Sequence, residues 1–226
     1  MDKDELYQTL LDGLSRYLDS AFARDVLRTV SRYPTPGFAH SLNKNQIASK
    51  LWLLNGLAQV YQGPLGTALV LGGWHGVLAA MLMDDARFEP GLVVSVDIDP
   101  SCQEVAETLN RRHLETGRFV AMTGDMLELD YQGLQVSTAG GDQLLQPDLV
   151  INTSCEHLAD FDAWYRRIPP GMRLLLQSND YYGCDEHCNC VPDLDAFRAQ
   201  APMRELELAD SLPLKRYQRF MLIGRR

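Results

Sequence analysis

The sequence predicts an α/β protein with a mostly parallel, seven-stranded sheet, an antiparallel hairpin at its C-terminal end and a helical N-terminal segment. Three observations predict it. From Thr67 onward, short apolar runs alternate with amphipathic stretches, the pattern of parallel strands joined by crossover helices. Several of those runs end in glycines, acids or amides, the residue types expected where strands deliver groups to a ligand. The last two strand-like runs are separated only by a short turn, which favours an antiparallel pair.

The elements follow in order. Residues 1 to about 60 read as helical: Leu6, Leu10, Leu11, Leu14, Tyr17 and Leu18 recur at helical spacing, as do Phe22, Val26, Leu27 and Val30. Pro34, Pro36 and Gly37 interrupt that pattern as a loop. A further helix is expected from about Asn43 to Gln59, with Ile47, Leu51, Leu54 and Leu57 on its apolar face. Strands are expected at ALVLGG (68–73), LVVSVDID (92–99), RFVAMTGDM (118–126), PDLVINTS (147–154) and GMRLLLQSN (171–179). Helices are expected between them, at about 76–84, 101–113, 158–167 and 192–199. MRELELADSL and RYQRFMLIGR form the final hairpin, and the polar insert around Gly133 to Gln146 reads as a surface loop. The division expected is a helical cap over 1–62 and a catalytic domain over 63–226.

Composition narrows the function. A chain of 226 residues with 46% hydrophobic content can bury a full core. The net charge of −9 argues against nucleic acid or an anionic membrane as partner, and leaves a small molecule. No run approaches the roughly 18 apolar residues of a membrane span. The start, MDKDELYQTL, is acidic, unlike a secretory leader. Five cysteines, an odd number, suit reduced thiols in a cytoplasmic protein. Oligomeric state stays open, a homodimer included.

Four segments carry candidate chemistry. In VLGGWHG, Gly72, Gly73, Trp74 and Gly76 follow a buried strand, where glycines let backbone approach a ligand; packing alone can demand the same turn. Asp97 ends the next strand at the distance where an acid accepts ribose hydroxyls, with Ile98 beside it. Asp99 is read as the cap of the helix that follows. Gly124, Asp125 and Met126 end the third strand, either as a ligand-binding turn or as a turn with Asp125 capping. INTSCEH brings Asn152, Thr153, Ser154, Glu156 and His157 to the end of the fourth, an unusually polar cluster for a buried strand. The loop is not G-x-G-x-x-G, which disfavours a nicotinamide dehydrogenase.

Further candidates flank these. Ser178, Asn179, Tyr181 and Tyr182 end the fifth strand; a tyrosine face attracts cations, whereas the bland alternative is rings that cover the sheet edge. His157 is a candidate base, with capping or packing as the alternative. CDEHCNC offers zinc-type ligands in Cys184, His187, Cys188 and Cys190, but the spacing is crowded and no second pair follows, so no metal site is expected. In HSLNKNQIASKLWLL, Asn45, Gln46, Ser49 and Lys50 are either part of a lid over the cleft or the solvated face of an amphipathic helix.

Taken together, VLGGWHG, VDID, GDM, INTSCEH with Trp164, LQSNDYYG, EHCNCV and the terminal RFMLIG resemble a branch of the class I S-adenosylmethionine (SAM) dependent methyltransferase-like superfamily, a Rossmann-like fold. The resemblance covers about residues 40 to 226. It implies that SAM is bound, with the GDM acid at the adenine amine and INTSCEH near the sulfonium. More narrowly, the chain is similar to the bacterial azetidine-2-carboxylate synthases of secondary metabolism, which cyclise SAM itself and release 5′-methylthioadenosine. That resemblance implies Asn152 or Ser178 holding the amine and Tyr181 or Tyr182 beside the sulfonium, with His157 or Glu156 as base if one is needed. The alternatives are a small-molecule methyltransferase and a SAM-binding pathway protein without turnover.

Overall fold

The computed structural model describes residues 3–138 and 140–226, so the helical reading of Met1 and Asp2 and the loop reading of Ala139 lie outside the described residues. Four helices come first: α1 (Lys3–Tyr17), α2 (Ala21–Arg32), α3 (Pro36–Ser41) and α4 (Lys44–Val60). Their starts are set by side-chain caps. Ser20, Thr35 and Asn43 each accept a backbone N–H from the first turn of α2, α3 and α4, and Pro36 at the start of α3 needs no donor. The apolar positions of α1 predict the helix correctly, yet Leu10, Leu14 and Leu18 remain exposed.

The sheet contains β1 (Thr67–Leu71), β2 (Leu92–Asp97), β3 (Phe119–Thr123), β6 (Leu149–Asn152), β7 (Arg173–Asn179), β8 (Glu205–Pro213) and β9 (Gln218–Arg225). Its seven strands run in the order β3-β2-β1-β6-β7-β9-β8. The first five are parallel, and β9 inserts antiparallel between β7 and the edge strand β8. The connecting helices are α5 (Val77–Asp84), α6 (Ser101–Leu109), α7 (Arg111–Leu114), α8 (Phe161–Arg167) and α9 (Leu194–Gln200). The predicted Rossmann-like α/β fold is therefore present, with its strands where the apolar runs placed them. No helix among the described residues is long and apolar enough to cross a membrane.

Both faces of the sheet are covered, which is why the central strands read as continuous apolar runs. On one face Leu69, Val94, Val150, Leu174 and Leu176 pack with Phe161, Trp164 and Phe197. On the other, Val70, Ile151, Leu175 and Ile223 pack with Leu53, Leu54 and Leu57 of α4. Helix α4 thus shares the core of the sheet.

Two expectations need correction. Pro36 and Gly37, read as part of a loop, open the short helix α3, because proline suits the first helical position and Thr35 caps it. The insert after Gly133 is not an irregular loop but the hairpin β4 (Leu134–Thr138) and β5 (Gly141–Leu145). In LQVST the alternation that makes a strand is already visible, since Leu134 and Val136 are buried while Gln135 and Ser137 face solvent. Gly141, at φ 105°, supplies the left-handed backbone after the turn.

Candidate active-site cleft

The strand ends converge on a cleft of about 610 Å³. Its floor is the loop after β1. Gly72 takes φ 60°, and a side chain there would collide with Ser154 Oγ at 2.6 Å. A Cβ on Gly73 would lie 2.0 Å from Ser95 Oγ, so this segment is glycine for close packing as well as for ligand access. Trp74 follows at φ 47°, a conformation rarely taken by bulky side chains. It is pinned there by its own N–H, which donates to Asp97 Oδ2 at 2.7 Å.

Asp97 Oδ1 accepts the Asp99 N–H at 3.0 Å, so both carboxylate oxygens are anchored while lone pairs remain for a ligand. Asp99 accepts the Ser101 N–H at 2.9 Å, the capping role expected for it. Ile98 stands 69% exposed on the rim of the cleft. Cys102, beneath it, is pushed up to about 12 by burial and by the two aspartates, so it faces the cleft as an inert thiol. His75 lines the cleft and its basicity is lowered, because burial outweighs Asp97 and Asp99.

The remaining strand ends complete this side. Gly124, Asp125 and Met126 line the cleft, as do Thr153, Ser154 and His157. Asp125 also accepts the Leu127 N–H at 2.8 Å and so closes a turn, but it caps no helix, because none begins between β3 and β4 among the described residues.

Other predicted residues lie elsewhere. Gly76 precedes α5 at φ 73° and is packed against Asn110 and Ala106, behind the cleft. Asn152 is fully buried; its Oδ1 accepts the Ser154 N–H and its Nδ2 contacts Met126 Sδ. It shapes the cleft wall without lining it. Ser178 is fully buried too, on the face shared with Leu174 and Leu176. Because strand side chains alternate, its neighbour Gln177 is the one that enters the cleft. Tyr181 meets His187 edge to face and lies tilted against Tyr217, and Tyr182 is 62% exposed; neither lines the cleft.

The opposite wall comes from α4 and β9. Gln46, Ser49 and Lys50 lie on one helical face at i, i+3, i+4 spacing and all line the cleft, whereas Asn45 is exposed at the helix start. Ser49 Oγ donates to Gln177 Oε1 at 3.0 Å, and Lys50 Nζ donates to Gln46 Oε1 at 2.7 Å. Burial, with Arg219 nearby as a second cause, brings Lys50 down to about 7. Arg219 donates to the Thr153 carbonyl at 2.9 Å and pairs with Glu156 at 3.4 Å, while its buried Nε has no hydrogen-bond partner among the described residues.

Sequence reading missed Gln177 and Arg219. An arginine opening the otherwise apolar RFMLIG was the available signal. Its meaning depends on β9 running antiparallel, which brings the start of that strand, paired Arg219 to Asn179, to the carboxyl ends of the parallel strands.

No protein-family model matches the chain, and no curated protein matches it. Solved structures do. The N-methyltransferase NodS from Bradyrhizobium japonicum WM9, in complex with S-adenosyl-L-homocysteine, superposes with a TM-score of 0.58 over 91% of this chain and 99% of that one, at 13% identity. Geranyl diphosphate C-methyltransferase from Streptomyces coelicolor A3(2) gives a TM-score of 0.57 over 80% of each chain, at 14% identity. The YcgJ protein from Bacillus subtilis gives 0.57 over 79% of this chain and 99% of that one, at 12% identity. The chain has the class I methyltransferase fold. At these identities the likeness is one of fold, and the chemistry of the cleft must be argued from its own side chains.

Proposed function

We propose that this protein is a SAM-consuming enzyme, and that its reaction is the intramolecular cyclisation of SAM to azetidine-2-carboxylate. The observation that carries the reading is one cleft that joins the Gly72–Trp74 loop, Asp97 and Met126 on one wall to a near-neutral lysine on the other. The residues fit the ligand. Asp97 offers acceptors to ribose hydroxyls, Ile98 and Met126 offer apolar surface to adenine, and the unpartnered Nε–H of Arg219 suits the methionine carboxylate.

Cyclisation asks for a base and for exclusion of water. Lys50, neutral above about pH 7, accepts one proton from the α-ammonium group. The freed amine forms a bond to the γ-carbon as the bond from that carbon to sulfur breaks. Sulfur keeps the electron pair and leaves as the neutral thioether 5′-methylthioadenosine, and the ring nitrogen retains its two remaining protons. Gln46 holds the Lys50 amine, and Ser49 with Gln177 closes the wall behind it.

Methyl transfer to a small acceptor is the second reading. It is favoured by the structural neighbours, which include methyltransferases, one of them with geranyl diphosphate bound. Incubation of the purified chain with SAM alone, followed by mass spectrometry, separates the two. Methylthioadenosine with azetidine-2-carboxylate above the enzyme-free background supports cyclisation. Binding without breakdown, followed by S-adenosylhomocysteine once an acceptor is added, replaces it with methyl transfer, and binding with no turnover under either condition leaves only a SAM-binding protein.

Asp97→Asn tests the adenosine wall by itself. It keeps one acceptor oxygen but removes the charge from the hydrogen bonds offered to ribose, an expected loss of about 2 kcal/mol, or roughly 30-fold in SAM affinity by calorimetry. Unchanged affinity would place the ribose elsewhere.

A further inference from the structure

We infer that Glu156, His157 and His187 form a binding site for a divalent transition-metal ion of the zinc type, at the edge of the cleft. The sequence shows the crowded loop around His187 and, separately, Glu156 and His157 at the end of the fourth strand. The fold brings the two together, because the short 3₁₀ turn Cys155–His157 after β6 packs beside that loop. One ligand-capable atom from each of the three side chains lies within 4.8 Å of the others. Bonds of 2.0–2.1 Å to a tetrahedral ion put ligand atoms about 3.3 Å apart, so small side-chain rotations close the cage.

Two features mark a prepared site. His157 Nδ1 lies 3.1 Å from the Glu186 carbonyl oxygen, and His187 Nδ1 lies 2.9 Å from that of Tyr181. A carbonyl only accepts, so each Nδ1 carries the proton and each Nε2 of the neutral ring keeps its lone pair. This is the orientation that backbone carbonyls impose on metal-binding histidines. The second feature is Glu156, which is buried. Asn179 Nδ2 at 2.6 Å and Arg219 Nη2 at 3.4 Å both converge on Oε1, whereas Oε2 is buried without a hydrogen-bond partner among the described residues. A buried acceptor left bare is costly unless something meets it.

Two imidazoles and one carboxylate suit zinc and its first-row neighbours better than magnesium or calcium, which prefer oxygen. Glu156 and His157 line the cleft, so the remaining coordination position opens towards whatever the cleft holds. The site stands whether or not the reaction proposed above is correct.

The test is calorimetric titration of the full chain with Zn²⁺ after chelator treatment and dialysis. One saturable site per chain is expected, with a rise in Tm on loading. His157→Ala and His187→Ala, at the more accessible positions, should each weaken binding by roughly 100-fold and abolish the Tm rise, while the exposed-histidine control His40→Ala leaves both unchanged. Glu156→Gln is a weaker test because that side chain also holds Arg219. Absence of a saturable site would overturn the proposal. So would binding that survives both histidine changes, or that disappears only with Cys188→Ser and Cys190→Ser, since the loop thiols would then be the ligands.

Discussion

Replacing Lys50 with methionine is expected to lower kcat by roughly 10²- to 10⁴-fold, the range that a positioned general base contributes, while SAM affinity changes little. Methionine keeps the length and apolar character of the buried stem and removes only the amine. The wild-type rate should rise with pH through about 7, because the Lys50 amine is protonated below that value and free to accept a proton above it. Lys50→Arg should be as inactive as Lys50→Met, since a guanidinium stays charged. A kcat that survives in Lys50→Met with a raised KM would make Lys50 a binding group, and the base would have to be sought elsewhere.

The same lysine carries a stability signature. Its folded-state value of about 7 lies below the roughly 10.4 of an unfolded chain, so between the two the unfolded state holds more protons. Stability therefore rises with pH across that window, and the penalty for burying the charged amine is greatest below about 7. Lys50→Met removes this slope, which denaturant titrations at pH 6 and pH 9 will read directly.

Trp164→Ala carries the second large effect, on stability. Trp164 is fully buried among Phe161 and Tyr165, and its Nε1–H donates to Tyr131 Oη at 2.8 Å. Tyr131 in turn donates to the Met126 carbonyl at 2.6 Å, next to the cleft. Removing the indole leaves a large cavity and takes away the hydrogen bond that Tyr131 accepts, for an expected loss of about 3–5 kcal/mol in chemical denaturation. Trp164→Phe fills most of the space and forfeits chiefly the hydrogen bond, so about 1–2 kcal/mol is expected. Similar losses in the two variants would mean that the hydrogen bond, and not the packing, dominates.

Much of this protein was legible along the chain. The apolar runs of ALVL, LVVSV and LVIN announced central parallel strands, because a strand covered on both faces has no polar side to show. The glycines of VLGGWHG, Asp97 and the GDM turn fall at strand ends, and strand ends in a parallel sheet lie together whatever the strand order. Ser49 and Lys50 were visible as a polar face of α4, though whether that face met solvent or the cleft was open until α4 was seen to pack on the sheet beside Leu175 and Ile223.

Tertiary structure alone decided the rest. The fifth strand's end read as a polar cluster, yet the pleat sends Gln177 into the cleft and Ser178 into the core, and the register of β7 against its neighbours fixes which is which. Arg219 reaches the site only because β9 runs against β7, a fact of topology. Glu156 and His157 stand 30 or so residues before His187, and no local pattern joins them. The sequence by itself determined the layers of the fold and the cleft wall built from the ends of β1, β2 and β3, because periodicity and turn chemistry act over a few residues. The placement of Lys50 in the cleft, the buried arginine and the Glu156–His157–His187 cluster required the fold, because each depends on groups brought together across the sheet and on the loss of water that accompanies burial.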